Sequence, residues 1–186
     1  MFDLAGLRRI KGPCCLGIMD SPVGRLSLIA SDAGLHALMF DREREGCESG
    51  LGKFPVAQRH PVLLLAFQQL AEYFSGIRTS FDVPLAMEGT TFQKAAWKKL
   101  REIPYGSVTT YGAQARSLGR VQLARAIGAA NSKNPVSIIV PCHRVVGVGG
   151  ALTGFGGGLE AKAQLLAHEN RVFNFMPTDA VGARRC

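Results

Sequence analysis

Asn134-Pro135-Val136-Ser137-Ile138-Ile139-Val140-Pro141-Cys142-His143-Arg144-Val145-Val146 is the stretch from which the rest of the chain is read. The β-branched run from Val136 to Val140, closed by Pro141, predicts a buried strand that delivers Cys142 to the start of a loop. Such a junction is where a reactive group is held on rigid scaffold. A thiol reacts as its thiolate, so it needs a base or a positive field beside it. His143, with Glu169 as the carboxylate behind it, supplies base and orientation. Two plainer readings stand beside this one: a cysteine in an apolar strand is commonly inert, and a Cys-His pair arises by chance. Neighbours on an extended chain face opposite sides, so direct contact or a bridging water are both open routes for the proton.

Upstream, Gly89-Thr90-Thr91 offers threonine caps for a helix from Phe92 through Trp97 to Leu100. Ile103-Pro104-Tyr105-Gly106 breaks it, and Val108-Thr109-Thr110 leads into a second helix from Tyr111 to Leu118-Gly119. A third, roughly Val121 to Ala130, follows the tight Gly119-Arg120 link, with Leu123, Ala126 and Ile127 on one side and Arg125 on another. Helix, glycine turn, helix is the helix-turn-helix plan. Downstream, glycines from Gly147 to Gly158 make a loop around Phe155. Leu159 to His168 is helical, and the chain beyond Asn170 reads as irregular.

The first half has a different character. Val23, Leu26, Leu28 and Ala30, then Asp32-Ala33-Gly34, then Leu35, Ala37 and Met39 predict a β-hairpin. Asp41 to Pro55 reads as a charged surface loop without chemistry, carrying Cys47. Pro61 opens a helix whose Leu63, Ala66, Phe67, Leu70, Tyr73 and Phe74 form a core face, with Gly76 as its stop. Phe81 to Leu85 suggests a further short strand. The expected fold is therefore α/β. Residues 1–88 form an N-terminal lobe of antiparallel sheet plus helix, 89–172 a mostly helical lobe with the helix-turn-helix and the reactive cysteine, and 173–186 an irregular tail.

Composition agrees with a globular protein facing a polyanion: 47% of the 186 residues are hydrophobic, and 22 Lys and Arg against 14 Asp and Glu give a net charge of +8. Met1 to Gly24 has no continuous apolar core with a cleavage signal, and no stretch approaches the ~20 apolar residues of a membrane span, so a cytoplasmic protein with no membrane association is expected. Five cysteines, Cys14, Cys15, Cys47, Cys142 and Cys186, make an odd set that argues for free thiols. They lack zinc-ligand spacing, so neither a metal nor a cofactor is expected.

The motif around Cys142 closely resembles the active-site signature of the O6-alkylguanine-DNA alkyltransferases. The likeness takes in Phe92 to Trp97, Ile103 to Gly106, Thr110-Tyr111, Ala124-Arg125-Ala126, Gly154-Phe155-Gly156-Gly157-Gly158 and Leu165 to Glu169. It implies a ribonuclease H-like first lobe packed on a winged helix-turn-helix lobe. It implies repair by direct reversal in a single turnover. A base is flipped through the minor groove of duplex DNA, and its alkyl group moves irreversibly from O6-alkylguanine to Cys142, with O4-alkylthymine open as a second substrate. His143 becomes the base acting through water, Glu169 its orienting partner and Asn134 the hinge between helix-turn-helix and active-site strand. Tyr111 donates to the flipped guanine, Arg125 fills the gap left in the stack, and Val145, Phe155, Gly156 and Gly157 complete the substrate site of a monomer. Some relatives have Ser where this chain has Gly156, so a contact to the base oxygen there comes from backbone N–H. The extra room predicts tolerance of bulky alkyl groups, for which labelling by O6-benzylguanine is the test.

Two rivals make different predictions. A regulator that binds through the helix-turn-helix alone gains no mass and binds sequence-specifically, leaving Cys142, His143 and Glu169 without a role. A Cys-His-Glu hydrolase turns over, whereas an S-alkylcysteine is a stable thioether.

Overall fold

In the computed structural model, residues 12–44 and 53–175 are described. Cys47, Cys186 and the tail beyond residue 175 lie outside them. The N-terminal lobe holds a three-stranded antiparallel sheet in the order β1 (Cys15–Met19), β2 (Leu26–Ser31) and β3 (Gly34–Phe40). The hairpin is β2–β3. β1 was not foreseen, because Cys14 to Met19 lacks clean alternation: both faces of the sheet are covered. Leu26, Leu28 and Leu38 point into the main core, while Leu16, Ile29, Ala37 and Met39 form a smaller one on the other face.

Asp41–Arg44 is a single helical turn, α1, rather than loop. Helix α2 (Pro61–Phe74) starts at Pro61, capped by the His60 side chain, which accepts from Val62 N–H at 3.3 Å. Its Leu63, Ala66, Leu70 and Tyr73 are fully buried under the sheet. Phe81 to Leu85 is not a strand; only Leu35 and Leu85 pair, because Gly34 lies so close to the Pro84 carbonyl that the segment meets the edge of β3 at one point.

The second lobe follows its caps. Thr90 and Gln93 form a reciprocal capping box on α3 (Thr91–Leu100), and Thr110 accepts from Ala113 N–H to start α4 (Tyr111–Ser117). Gly119, at φ +67°, turns the chain into a 3₁₀ turn (Val121–Leu123) and α5 (Ala124–Asn131). Gln114 and Asn131 exchange side-chain hydrogen bonds of 2.8 and 3.3 Å and lock α4 to α5. Trp97 Nε1–H donates to the Ala130 carbonyl at 2.9 Å, tying α3 in. The last helix, α6 (Gly158–Phe175), runs well past His168, so the chain beyond Asn170 is helical as far as Phe175.

The segment before Cys142 is not a strand. Val136 makes one parallel bridge to Leu38 on the free edge of β3, and then the chain turns through Ile138, which adopts φ +72°. Val136 to Val140 is apolar because it is enclosed on all sides, not because it pairs. Cys142–Arg144 is a 3₁₀ turn leading into β5 (Val145–Val146), which pairs in parallel with β4 (Thr109–Thr110).

Candidate active site

Cys142 lines a cavity of about 180 Å³ together with Glu43, Tyr111, Asn131, Ser132, Asn134, Ser137, Gly154, Phe155 and Gly156. Asn134 is held by its neighbours on three sides. Its Oδ1 accepts from Val136 N–H at 3.1 Å, and its Nδ2 donates to the Val140 carbonyl at 2.7 Å and to Cys142 Sγ at 3.2 Å. An Asn before Pro135 therefore closes the turn and aims an N–H at the sulfur. Burial pushes the Cys142 thiol above its usual range and Glu43 adds to this, while the hydrogen bonds from Asn134 and Ser137 and the charge of Lys162 pull it back. The resting group is a thiol awaiting a base.

His143 is fully buried behind it. Its Nε2–H donates to Glu169 Oε1 at 2.9 Å, since an ionised carboxylate can only accept. Nδ1 has no protein partner, so it is the basic nitrogen of the ring. Burial lowers the pKa of His143, against the pull of Glu169, which keeps the imidazole neutral. Burial alone would raise Glu169. The hydrogen bonds and charges of His143 and Arg144 outweigh it and hold the carboxyl at about 2.

That carboxylate is the hub of a buried network. Arg144 Nε donates to Oε2 and its second terminal nitrogen to Oε1, both at 2.9 Å, and Gly106 N–H donates to Oε2 at 3.1 Å. From the other lobe, Tyr73 donates its hydroxyl to Oε1 at 2.9 Å. The phenol stays protonated because burial and the charge of Glu169 push its pKa well up. Among the described residues, no group of three or more His, Cys, Asp or Glu is placed to hold a metal.

The chain that builds this thiol, imidazole and helix-turn-helix matches two family models. Residues 91–171 match the 6-O-methylguanine DNA methyltransferase DNA binding domain, and residues 15–87 match the ribonuclease-like domain of the same protein. The chain belongs to the 6-O-methylguanine DNA methyltransferase family. It is 44% identical over 154 residues to the methylated-DNA–protein-cysteine methyltransferase of Mycolicibacterium paratuberculosis, covering 82% of this chain and 90% of that one. The Methanosarcina acetivorans protein of the same name is 43% identical over 152 residues, with 82% and 96% covered. Among solved structures, Mycobacterium tuberculosis O6-methylguanine methyltransferase superposes with a TM-score of 0.80 at 40% identity, covering 89% of this chain and 96% of that one. A DNA complex of the M. tuberculosis protein gives 0.75 at 40% identity, covering 84% and 93%.

For a member of this methyltransferase family, the cavity brings together Cys142, Asn134, Tyr111, Phe155 and Gly156 of the residues read from sequence. His143 and Glu169 stand directly behind. Phe155 packs edge-on to Phe40, ring centroids 5.3 Å apart, and forms one wall. Tyr111 Oη donates to the Thr153 carbonyl at 3.4 Å. Arg125 is exposed on α5, outside the cavity. Val145 and Gly157 do not line it: Val145 is in the core, and Gly157 lies over the Phe40 ring, which a Cβ there would approach to 2.8 Å.

Three functional side chains were missed. Arg144 and Lys162 carry charges that sequence alone assigns to solvent, yet both are buried. Lys162 donates to the Val145 carbonyl at 2.6 Å and the Thr153 carbonyl at 2.8 Å, pinning the glycine loop to β5. The third, Glu43, occupies the space that Gly156 was expected to open. A Cβ built on Gly156 would overlap Glu43 Oε1, so a carboxylate already fills that space.

Proposed function

We propose that this chain repairs alkylated DNA by direct reversal, flipping an O6-alkylguanine into the Cys142 cavity and taking its alkyl group irreversibly onto Sγ. The observation that carries the reading is the buried Cys142 thiol, hydrogen-bonded by Asn134 and backed by a neutral His143 whose Nδ1 is free. The thiol proton passes through a water to Nδ1, and Glu169, kept ionised by Arg144, stabilises the imidazolium that forms. The thiolate, steadied by the Asn134 amide, attacks the alkyl carbon. The S–C bond forms as the C–O bond breaks, and the electron pair goes to the base oxygen. Tyr111 donates a hydrogen bond to the flipped ring, which takes up a proton and leaves as guanine. A thioether offers water no leaving group, so each molecule acts once.

The partner is duplex DNA approached through the minor groove. There the degenerate base pattern suits a protein that repairs lesions at any sequence, and Arg125 enters the stack in place of the flipped base. Extrusion costs least for a damaged, weakly paired base. The net charge of +8 supports this partner. The chain acts as a monomer without a cofactor, in the reducing cytoplasm that its free Cys14, Cys15 and Cys142 suit. The boundary between the structural lobe and the DNA-binding and active-site lobe falls at 88/89, a placement supported by family matches that end at 87 and begin at 91.

The test is intact mass and a peptide map after incubation with a duplex containing one O6-methylguanine, with Cys142→Ser in parallel. One methyl on Cys142, stoichiometric with restored guanine and absent from the variant, is expected. DNA binding with unchanged mass would replace this reading with that of a non-reactive binder.

A further inference from the structure

We infer that Glu43, contributed by the N-terminal lobe, is the residue that limits the size of the alkyl group this site accepts. The inference rests on the alkyl-transfer reading above and adds a selectivity element to it. Glu43 stands on the single turn α1, directly after β3, and its side chain folds back toward the sheet. Oε2 accepts from Phe40 N–H at 3.1 Å, while Oε1 lies against Gly156. The two ends of the contact are interlocked, because the Phe40 ring sits beneath Gly157 and edge-on to Phe155. The carboxyl is therefore clamped between a strand end and the glycine loop, on the wall of the cavity that holds Cys142.

In the transfer geometry the base oxygen lies by the Gly156 backbone and the alkyl carbon between that oxygen and Sγ. The Glu43 side chain, set against Gly156, is then part of the wall that the alkyl group faces. A methyl fits in front of it. A benzyl group must displace it, breaking the bond to Phe40 N–H and setting an apolar ring against a carboxyl. Gly156 and Glu43 are complementary in volume: the glycine leaves a notch and the glutamate fills it. Burial raises the pKa of Glu43, in keeping with an enclosed carboxyl. The titratable groups that share its cavity are Cys142 and Tyr111.

The experiment measures single-turnover alkylation of Cys142 by intact mass, with an O6-methylguanine duplex and with O6-benzylguanine, for the wild type, Glu43→Ala, Glu43→Gln, Gly156→Ala and the Glu43→Ala/Gly156→Ala pair. Removing the side chain raises the benzyl-to-methyl rate ratio by roughly ten-fold or more, the scale on which pocket volume discriminates. Glu43→Gln keeps the volume and holds the ratio near that of the wild type. Gly156→Ala slows both reactions, and pairing it with Glu43→Ala restores them, a non-additivity expected only of groups in contact. An unchanged ratio in Glu43→Ala, an equal shift in Glu43→Gln, or additive effects in the pair would each overturn the inference while methyl transfer itself persisted. A wild type that gains no methyl from the duplex would remove the transfer reading, and the inference with it.

Discussion

Replacing Glu169 by Gln tests the buried network most directly. The carboxyl is held at about 2 against an ordinary 4.5, which corresponds to about 3 kcal/mol of folding stability at neutral pH. A second route gives a similar figure: the amide leaves the Arg144 guanidinium buried without its counter-charge, and breaking a buried pair costs about 3–5 kcal/mol. For a chain of this length the variant should melt roughly 10 °C lower. Urea unfolding of both proteins between neutral and acid pH is the assay. Because the folded pKa is depressed, this stability is present above about 4.5 and is lost as the pH falls toward 2. Glutamine does not titrate, so the gap between the two proteins should close over that window. A variant within about 1 kcal/mol of the wild type at neutral pH, or a gap that stays constant into acid, would refute an ionised Glu169 as the hub.

Asn134→Ala removes the donor to Sγ and should slow methyl transfer by about ten- to hundred-fold, the rate equivalent of one charge-assisted hydrogen bond, in single-turnover mass measurements. Lys162→Met strips the Val145 and Thr153 carbonyls of their buried donor; a loss of about 1–3 kcal/mol in urea unfolding is expected, with slower transfer as the glycine loop loosens. Because burial lowers His143 and raises Cys142, the pair of thiol and neutral imidazole is the dominant form from neutral pH upward, so the transfer rate should fall in acid as the imidazole is protonated and stay level from neutral pH until the thiol itself titrates; a rate that climbs steadily across that range would remove the general-base role of His143. Arg125→Ala should weaken duplex binding at every sequence, read by fluorescence anisotropy across a salt series, without abolishing methyl transfer to Cys142 from a saturating O6-methylguanine duplex.

Local chemistry carried much of this fold into the sequence. Pro61, Thr90 and Thr110 each mark a helix start by satisfying or lacking a backbone N–H, a short-range matter that needs no knowledge of the rest of the chain. The Cys142–His143–Glu169 group was legible from residue types and from the family likeness together. Val136 to Val140 was misread because enclosure by both lobes produces the same apolar run as strand pairing, and only the positive φ of Ile138 separates the two. Glu43, Arg144 and Lys162 were illegible for one common reason. A charge is assigned to solvent unless its surroundings are known: the Arg144 and Lys162 partners, Glu169 and the Val145 carbonyl, are 25 and 17 positions away, and Glu43, though bonded to the nearby Phe40 N–H, is set against Gly156, 113 positions on.

Tyr73 belongs to the lobe that carries no nucleophile, yet its hydroxyl is bonded to the carboxylate behind His143. The seam between the lobes is therefore a poor place for recombination. A hybrid joining this second half to the first half of a distant relative would inherit the thiol, the imidazole and the DNA-reading helices intact, and still lack the phenol against which Glu169 is set. Its fitness would depend on how well a foreign helix reproduced that one hydroxyl. The two halves share one buried network, although each reads in the sequence like a module that could travel alone.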